Sequence, residues 1–290
     1  MYAAQFDYHR ARSLADAQRL MKAHPGAKLL AGGHSLIPLL KLRLATPSAV
    51  IDIGRIPEMR GISSSGGTIR IGALSTHAEV AASAEVRKSA TALSDAAAVV
   101  GDPAVRNRGT IGGNIAHADP ASDIPTALVA LDARITAVGS SGSRTISAEE
   151  FFTGVMTTTL REDEVVSEIL VPAGGAGQGS AYAKFPHPAS RYAVIGVAAM
   201  VSVKNGQCSA ARVALGGLLP AAARARAIET ALVGTPLTAA AIDVAARLAP
   251  GDLGDRVTGD IFASAGYRAA VSPVYVRRAV LSAAARAGQA

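Results

Sequence analysis

Two glycine pairs, Gly32-Gly33 and Gly112-Gly113, limit what this chain can fold into more than any other feature. A pair of glycines removes the Cβ atoms from a turn, so that consecutive backbone N–H groups can close on an anion and φ can become positive. The first pair follows an apolar run, and Ser35 after it can cap a helix whose N-terminus favours a phosphate. Paired glycines also occur in plain turns, but two such loops suggest a clamp around one phosphate-bearing ligand.

Neither loop matches the common nucleotide-binding motifs. Neither has the G-x-G-x-x-G spacing of a Rossmann site, and the sequence contains no G-x-x-x-x-G-K-[ST] P-loop. The nucleophile elbow G-x-S-x-G, the zinc motif H-E-x-x-H and a paired-carboxylate signature are also missing. The chain therefore needs a different phosphate cradle, and no catalytic acid or base for substrate chemistry is predicted.

The composition excludes several classes of protein. With 290 residues, 49% of them hydrophobic, the chain is long enough for about two domains with a substantial core. The one cysteine, Cys208, excludes an intrachain disulfide or a cysteine-ligated iron–sulfur cluster in this chain, and we expect it to be a small buried hydrophobe. The basic residues behind the net charge of +7 are dispersed, and only 4% of the chain is aromatic, which argues against nucleic-acid binding.

The sequence also bears on where the protein is located. No apolar run approaches the ~20 residues that a membrane helix requires, and the N-terminus has no signal-peptide pattern. We therefore expect no transmembrane segment and a cytoplasmic protein, whose basic surface is solvated or faces a partner.

The first part of the chain is predicted to form two lobes. Residues 1–54 show a β-α-β-α-β pattern that includes an apolar strand suited to a parallel sheet, and the first glycine loop of this lobe faces a ligand. Along the second lobe, residues 55–177, the sequence predicts a strand at 68–73, a helical stretch at 76–100 broken once near Ser89, an aperiodic functional loop at 104–123, a helix at 124–131 and strands at 134–138 and 164–171.

A glycine-rich segment, residues 172–179, is the best candidate for a linker, and we place a domain boundary near residue 177. Residues 178–290 then form a second domain. It is predicted to contain a three-stranded antiparallel sheet, with a hairpin turn at Asn205-Gly206, followed by a layer of helices. The predicted fold class is therefore α+β.

Two long motifs in this order resemble a known family. Residues 31–43 (AGGHSLIPLLKLR) and 106–123 (RNRGTIGGNIAHADPASD) are similar to the FAD-binding medium subunits of molybdenum hydroxylases. The resemblance extends over nearly the whole chain and is nearer to the medium subunits of aerobic carbon monoxide dehydrogenases than to the flavin domain of xanthine dehydrogenases. It implies a two-lobed FAD-binding domain of the vanillyl-alcohol-oxidase/CO-dehydrogenase-flavoprotein type, followed by the C-terminal domain of that family.

The resemblance also implies which residues hold FAD. The two glycine loops would surround the diphosphate and ribityl chain with their backbone, Asp123 would accept a hydrogen bond from a cofactor hydroxyl, Lys184 would lie near the pyrimidine edge of the flavin, and Tyr192 would cover one ring face. The full predicted set is Leu30, Ala31, Gly32, Gly33, His34, Ser35, Leu36, Gly109, Thr110, Ile111, Gly112, Gly113, Asn114, His117, Asp119, Asp123, Val166, Lys184 and Tyr192.

Some of these residues allow other interpretations. Asp123 can be a helix N-cap, Tyr192 a core residue, and His117, Asp119 and Asp123 ligands of a metal ion, although Pro120 and the loop offer them no supporting shell. His77 is expected to be a surface or cap residue. The loop at 186–191 lacks the acidic residues that xanthine dehydrogenases carry here, which argues against NAD as the electron acceptor.

The family resemblance implies an electron-transfer subunit that works with partners. A large subunit would oxidise the substrate at a molybdenum cofactor, a small subunit would relay electrons through two [2Fe-2S] clusters, and this chain would pass them to an acceptor such as quinone. A dimer of heterotrimers is expected, in contact with the inner face of the membrane through its partners or acceptor. Carbon monoxide is the favoured substrate; xanthine and other N-heterocycles stay open.

Two further hypotheses belong to other classes. A self-sufficient flavin oxidase or reductase would need its own substrate pocket, usually in a larger second domain than the 113 residues that remain here after residue 177 (290 − 177). A scaffold that had lost its cofactor would have degraded glycine loops, and both loops are intact.

Overall fold

The first lobe is a small parallel sheet with two helices. The computed structural model describes residues 2–288, so residue 1 and residues 289–290 of the predicted domains lie outside the described part. The sheet has the order β1-β3-β2 and all its pairs are parallel, which confirms the β-α-β-α-β prediction. The elements are β1 (Asp7–Arg10), α1 (Leu14–Ala23), β2 (Lys28–Leu30), α2 (Leu36–Lys41) and β3 (Ala49–Asp52).

The alternating pattern at residues 2–8 predicts the first strand there, but the observed strand is shifted along the chain. It runs from Asp7 to Arg10, because its partner β3 offers only four residues for pairing, from Ala49 to Asp52. The helix that follows agrees with the prediction, since the Ser13 hydroxyl accepts a hydrogen bond from the N–H of Asp16 at the start of α1.

The second lobe contains a five-stranded antiparallel sheet. Its strands are β4 (Ile62–Ser65), β5 (Thr68–Gly72), β6 (Arg134–Gly139), β7 (Gly142–Ser147) and β10 (Val165–Pro172). Their order is β4-β5-β10-β6-β7, and a two-stranded hairpin of β8 (Phe152–Gly154) and β9 (Thr157–Thr158) lies beside it. A short 3-10 turn, Pro57–Met59, connects the two lobes.

Within residues 2–288, the second lobe also contains seven helices: α3 (His77–Ala82), α4 (Ala84–Ser89), α5 (Thr91–Ala98), α6 (Pro103–Arg106), α7 (Ile111–His117), α8 (Asp123–Ala130) and α9 (Ala148–Phe151). The stretch at 76–100 breaks twice rather than once, because Ser83 ends α3 and its hydroxyl caps α4. The prediction of an aperiodic loop at 104–123 is wrong. Asp102 and Thr110 cap two helices there that are too short to show periodicity in the sequence.

The C-terminal part is an antiparallel sheet under a helical layer. Its elements are β11 (Gln178–Pro186), β12 (Ala193–Lys204), β13 (Gln207–Gly216), β14 (Ala223–Arg224), α10 (Arg226–Leu232), α11 (Ala239–Ala246), α12 (Ala249–Leu253), a 3-10 turn (Gly254–Arg256) and α13 (Ala265–Ala287). The sheet order is β11-β12-β13-β14, so the short β14 makes it four-stranded instead of three-stranded. Asn205 and Gly206 both have positive φ, which confirms the predicted hairpin turn.

Helix α8 joins the two parts of the molecule. All eight of its residues are buried, and it packs against β12 and β13 as well as against α5 of its own lobe. The overall α+β architecture agrees with the prediction. Within residues 2–288, no helix combines the length and the apolar character needed to span a bilayer.

Candidate functional site

A cavity of about 610 Å³ lies where the first lobe, the second lobe and the loop before β12 meet. Its size is typical of a site for a small molecule or cofactor. Fifteen of the nineteen predicted site residues line it: Ala31, Gly32, Gly33, His34, Ser35, Leu36, Gly109, Thr110, Gly112, Gly113, Asn114, His117, Asp123, Val166 and Tyr192. The structure thus brings these residues together, and their individual roles in binding stay predictions.

The two glycine loops touch each other in this cavity. A Cβ atom at Gly32 would collide with the carbonyl of Arg108 and would lie 2.9 Å from the Cα of Gly109. Gly33 has a φ of +79°, a value that favours glycine. The loops are eighty residues apart in the sequence, so this contact is the clamp that the glycine pairs suggested.

The first loop presents unused hydrogen-bond donors. Among residues 2–288, no acceptor lies within hydrogen-bond range of the N–H groups of Gly32, Gly33, His34 and Ser35. Ser35 begins α2 without a side-chain capping bond, so its hydroxyl is also available. Four consecutive free amides in a cavity wall are suited to an anion such as a phosphate.

In the second loop, which is also predicted to surround the ligand with its backbone, most N–H groups already have acceptors in the protein. The N–H groups of Ile111 and Gly112 donate to the carbonyls of Ser75 (2.9 Å) and Ala73 (2.8 Å). The N–H of Gly113 donates to the Thr110 hydroxyl (3.2 Å). These amides are engaged because the loop is the first turn of α7, which is capped by Thr110 and packs against the segment that follows β5. Among residues 2–288 the Thr110 N–H has no acceptor, so the loop supplies this one amide, close approach and side chains.

Among residues 2–288, Asp123 is the only acidic residue in the cavity lining. It is the first residue of α8, after the N-cap Ser122, and it is 3% exposed. Its carboxylate accepts hydrogen bonds from the hydroxyl of Tyr182 (2.7 Å) and from Nζ of Lys184 (2.8 Å). The alternative interpretation of Asp123 as an N-cap is therefore wrong, because its oxygens are bound to β11.

Glycines in the C-terminal sheet make this arrangement possible. Gly196 and Gly216 are paired across β12 and β13. A Cβ at Gly196 would collide with the hydroxyl of Tyr182, and a Cβ at Gly216 would collide with Oγ1 of Thr126 on α8. Because Gly196 and Gly216 carry no side chains, α8 approaches the sheet closely enough for the side chains of β11 to reach Asp123.

Burial controls the charge states around Asp123. Removal from water raises the pKa of Asp123 to about 6, while attraction to Lys184 and its hydrogen bond act in the opposite direction. Burial, together with the Asp123 charge, raises the pKa of the Tyr182 phenol well above its ordinary value, so that the phenol stays a neutral donor. At neutral pH the carboxylate is therefore mostly ionised and paired with an ammonium group.

Tyr192 stands at the cavity mouth, where 45% of it is exposed, rather than in the core. The neighbouring Arg191 has a positive φ and donates a hydrogen bond from Nη1 to the carbonyl of Gly101 (3.3 Å). On its other side Tyr192 borders a second cavity of about 270 Å³ that includes Asp119, His187 and Arg268. Burial and the nearby Asp119 raise the pKa of Tyr192.

Four predicted site residues do not line the main cavity. Leu30 lies in β2, where its carbonyl accepts a hydrogen bond from the N–H of Ile53. Ile111 is fully buried in the core, and Asp119 accepts a hydrogen bond from the N–H of Ala121 (2.9 Å). Lys184 is paired with Asp123 and also donates to the carbonyl of Val99 (3.1 Å), and its place near the pyrimidine edge of the flavin stays a prediction.

The metal-site interpretation finds no support in the geometry. Over residues 2–288, no group of three or more histidine, cysteine, aspartate or glutamate side chains is arranged to hold a metal ion. Both oxygens of Asp123 already accept hydrogen bonds from Tyr182 and Lys184.

Sequence reasoning missed several residues of the site. His77 was expected at the surface or in a cap; it begins α3 but is 2% exposed and lines the cavity. Tyr182 carries no motif and reaches Asp123 only through the sheet. Ser122 donates a hydrogen bond from its hydroxyl to Oδ1 of Asn114 (2.7 Å), which orients that side chain. The one available signal was the place of the histidine inside a capping box, between Thr76 and Glu79.

The residues present fit a flavin dinucleotide. Four free amides offer donors for its diphosphate, and apolar side chains, among them Leu36, Leu74 and Val166, line the remaining wall. The one acidic group is paired with Lys184, so the wall does not repel an anionic ligand by an uncompensated charge.

Comparisons with known proteins agree with this geometry. Residues 4–174 match the family described as FAD binding domain in molybdopterin dehydrogenase, and residues 180–283 match the CO dehydrogenase flavoprotein C-terminal domain. The chain is 39% identical, over 99% of both chains, to the carbon monoxide dehydrogenase medium chain of Hydrogenophaga pseudoflava. It is 38% identical, over 99% of itself and 97% of the relative, to 6-hydroxypseudooxynicotine dehydrogenase complex subunit alpha of Paenarthrobacter nicotinovorans.

Solved structures give the same result. The chain resembles a chain of carbon monoxide dehydrogenase from Hydrogenophaga pseudoflava, with a TM-score of 0.94, 41% identity and 99% coverage of both chains. It also resembles a chain of quinoline 2-oxidoreductase from Pseudomonas putida 86, with a TM-score of 0.92, 32% identity and 99% coverage of both. This protein therefore belongs to the family of FAD-binding subunits of molybdopterin dehydrogenases.

Proposed function

We propose that this chain holds FAD in the cavity between its glycine loops and transfers electrons from the iron–sulfur clusters of a partner subunit to an external acceptor. The observation that carries the proposal is the row of four free amides, Gly32 to Ser35, in the wall of a cofactor-sized cavity. When bound, the flavin would accept two electrons and release them again. The residues of this chain bind it, orient it and set the charge around it.

The proposal divides the work among subunits. With one cysteine, this chain cannot ligate iron–sulfur clusters, which need several thiolates. The only carboxylate in the cavity lining is held by Lys184 and Tyr182, so it is not free to act as a base on a substrate. We therefore assign substrate oxidation to a large subunit with a molybdenum cofactor and electron relay to a small subunit with two [2Fe-2S] clusters.

The substrate of the complex has two candidates. Similarity to a carbon monoxide dehydrogenase medium chain, at 39% identity, favours carbon monoxide. A nearly equal identity of 38% to a subunit of 6-hydroxypseudooxynicotine dehydrogenase favours an N-heterocycle as the second candidate. Because this chain would bind the flavin and not the substrate, one percentage point in its identity does not separate the two.

Further parts of the proposal concern assembly and acceptor. We propose a dimer of heterotrimers, a quinone as the acceptor and a domain boundary near residue 177, in the segment between β10 and β11. The segment 186–191 (PHPASR), at the cavity mouth, contains no acidic residue, which supports an acceptor other than NAD.

Purification with and without partners tests the division of labour. The chain is produced alone and together with the large and small subunits that are encoded with it. We expect the isolated chain to bind FAD without oxidising carbon monoxide or N-heterocycles, and the complex to reduce a soluble quinone analogue with one of these substrates. Turnover of a substrate by the isolated chain would refute the proposed division.

A further inference from the structure

His77 is a buried histidine that the proposed function does not yet use. We propose that its neutral imidazole is a further binding residue for the dinucleotide and donates a hydrogen bond to the diphosphate. This inference rests on the proposed function, because it requires a dinucleotide in the main cavity. It assigns a role to a side chain outside both glycine loops.

The backbone fixes His77 at the meeting point of the loops. Thr76 caps α3 through a capping box with Glu79, so the helix begins in a defined position. The N–H of His77 donates to the carbonyl of Gly109 (3.0 Å). A Cβ at Gly109 would lie 3.0 Å from Cδ2 and 3.2 Å from Nε2 of His77, so this edge of the ring lies directly against Gly109.

The imidazole has no partner in the protein. Among residues 2–288, its Nδ1 atom is buried without a hydrogen-bond partner, whereas Nε2 is not enclosed in this way and also forms no hydrogen bond there. A neutral imidazole carries one donor and one acceptor, and buried polar groups in native proteins nearly always have partners. Nε2 is therefore the nitrogen that can donate a hydrogen bond to a ligand in the cavity, whereas Nδ1 is enclosed by the protein.

The surroundings of His77 favour a neutral imidazole that donates a hydrogen bond to an anion. Burial lowers the pKa of His77 to about 4, with smaller contributions from the charges of His34 and Arg106, so the ring is neutral at physiological pH. Gly109 also lies against Gly32, the first of the four free amides. An imidazole N–H beside a row of amide N–H groups extends the same set of donors.

The diphosphate is the part of a dinucleotide that matches these donors. Its oxygens accept several hydrogen bonds at once, whereas the flavin and adenine rings require mixed donors and acceptors. Asp123, the one acidic residue in the cavity lining, is bound to Lys184 and Tyr182 and does not compete for the His77 N–H.

Ligand fragments separate a phosphate contact from a packing role. The deflavinated full chain and its His77→Phe variant are titrated with FAD, ADP and riboflavin, and binding is followed by calorimetry. We expect His77→Phe to weaken FAD and ADP by about ten- to a hundredfold, the effect of one lost hydrogen bond to a charged group, and to leave riboflavin unchanged. His77→Gln, which keeps an N–H near the Nε2 position, should restore most of the affinity for FAD and ADP.

A matched control comes from the first lobe. His9 stacks on His24 at a ring distance of 4.0 Å, its Nε2 is also buried without a partner, and it does not line the cavity. His9→Phe should leave all three affinities unchanged. Unchanged FAD and ADP affinities in folded His77→Phe, or equal weakening of riboflavin, would overturn the inference. If the unaltered chain bound neither FAD nor ADP, the proposed function itself would fail.

A structure of the FAD-loaded chain provides a test that needs no variant, in case His77→Phe does not fold. We expect an imidazole nitrogen of His77 within about 3.2 Å of a phosphate oxygen, the range of an N–H···O hydrogen bond. A shortest distance above about 4 Å would exclude the contact.

Discussion

At the scale of single residues, Asp123 has several functions at one position. It begins α8, it lines the cavity, and it accepts hydrogen bonds from Tyr182 and Lys184 of the neighbouring sheet. The sequence motif predicts its place near the cofactor. The two partners come from β11, about sixty residues later, and no local pattern indicates them.

The raised pKa of Asp123 makes stability depend on pH. Its pKa of about 6 in the folded chain lies above the ~3.9 of an unfolded aspartate, so folding favours the protonated form. The stability that the protonated Asp123 carboxyl group contributes is fully present below pH about 4 and is lost as the pH rises through about 6. Above that range, this group no longer changes the free energy of unfolding. Relative to Asp123→Asn, the wild-type free energy of unfolding should therefore fall by about 3 kcal/mol between pH 4 and 7.

Urea unfolding of both proteins across this pH range measures the effect, and only the difference between them counts, because other carboxylates titrate in both. A difference that does not change with pH would contradict the raised pKa of Asp123.

Removal of Lys184 should be costly. Lys184→Met leaves a buried carboxylate without its counter-ion, so the free energy of unfolding at pH 8 should drop by about 3 kcal/mol. At pH 5, where the carboxyl group can be protonated, the loss should be smaller. The double variant Asp123→Asn/Lys184→Met should recover part of the loss, which chemical denaturation can measure. Equal losses at both pH values would show that Lys184 acts through packing alone.

Gly196 should not tolerate a methyl group. In Gly196→Ala the new Cβ collides with the Tyr182 hydroxyl and displaces it from Asp123, so we expect a loss of about 1 to 3 kcal/mol in stability. Gly175→Ala is the matched control, because no atom lies within 4 Å of a Cβ added there. Thermal unfolding compares the two, and equal transition temperatures would mean that the sheet yields to the extra methyl group.

At the scale of elements, the sequence predicts best where patterns are long. The parallel strand β3, the capped helix α1, helix α8 and the Asn205-Gly206 hairpin are observed as predicted. The segment 104–123 was predicted as a loop because α6 and α7 have only four and seven residues and no apolar stripe. Their caps, Asp102 and Thr110, were visible in the sequence, but only tertiary contacts make such short helices stable.

The engagement of the second loop's amides leads to a prediction about Gly113. Its Cβ position lies 2.8 Å from the Thr110 hydroxyl and 3.8 Å from the Cβ of Ala31 in the first loop. Gly113→Val places a branched side chain between the loops, so the folded variant should lose its flavin. The ratio of flavin to protein absorbance measures this, with Gly175→Val as the control. A normal flavin content in Gly113→Val would remove the second loop from the site.

At the scale of the whole molecule, the last helix connects the C-terminal part to the second lobe. Arg286 of α13 donates hydrogen bonds to Asp95 of α5 (2.6 Å) and to the carbonyl of Ser180 (2.7 Å). Asp95 also accepts a hydrogen bond from the N–H of Tyr182 (3.2 Å), and the hydroxyl of the same tyrosine donates to Asp123. The C-terminal helix thereby supports one wall of the cofactor cavity from a distance.

Asp95→Ala should destabilise the chain by about 1 to 3 kcal/mol, since it removes the acceptor of the Arg286 side chain and of the Tyr182 N–H in a contact that is only partly exposed. Asp243→Ala removes another aspartate paired with α13, through Arg277, but that pair is exposed on both sides and should cost less than about 1 kcal/mol. Calorimetric unfolding of the two variants gives the comparison. Equal losses would show that the Asp95 contact is no more than a surface ion pair.

The assembly of the complex is the part that a single chain determines least. Its composition excludes iron–sulfur clusters in this subunit, and its motifs identify the family. The two sequence motifs that contain the glycine loops predict the fold and most of the residues that line the cavity. Packing between elements adds His77 to the cavity lining and brings Tyr182 to Asp123.

Amide hydrogen exchange during FAD titration tests the central claim most directly. We expect one equivalent of FAD to saturate the deflavinated chain and to slow exchange strongly at Gly32 to Ser35, whose N–H groups are free without it. Gly112 and Gly113 should change little, because their amides already have acceptors in the protein. Saturation with unchanged exchange at residues 32–35, or no binding of FAD at all, would contradict the account.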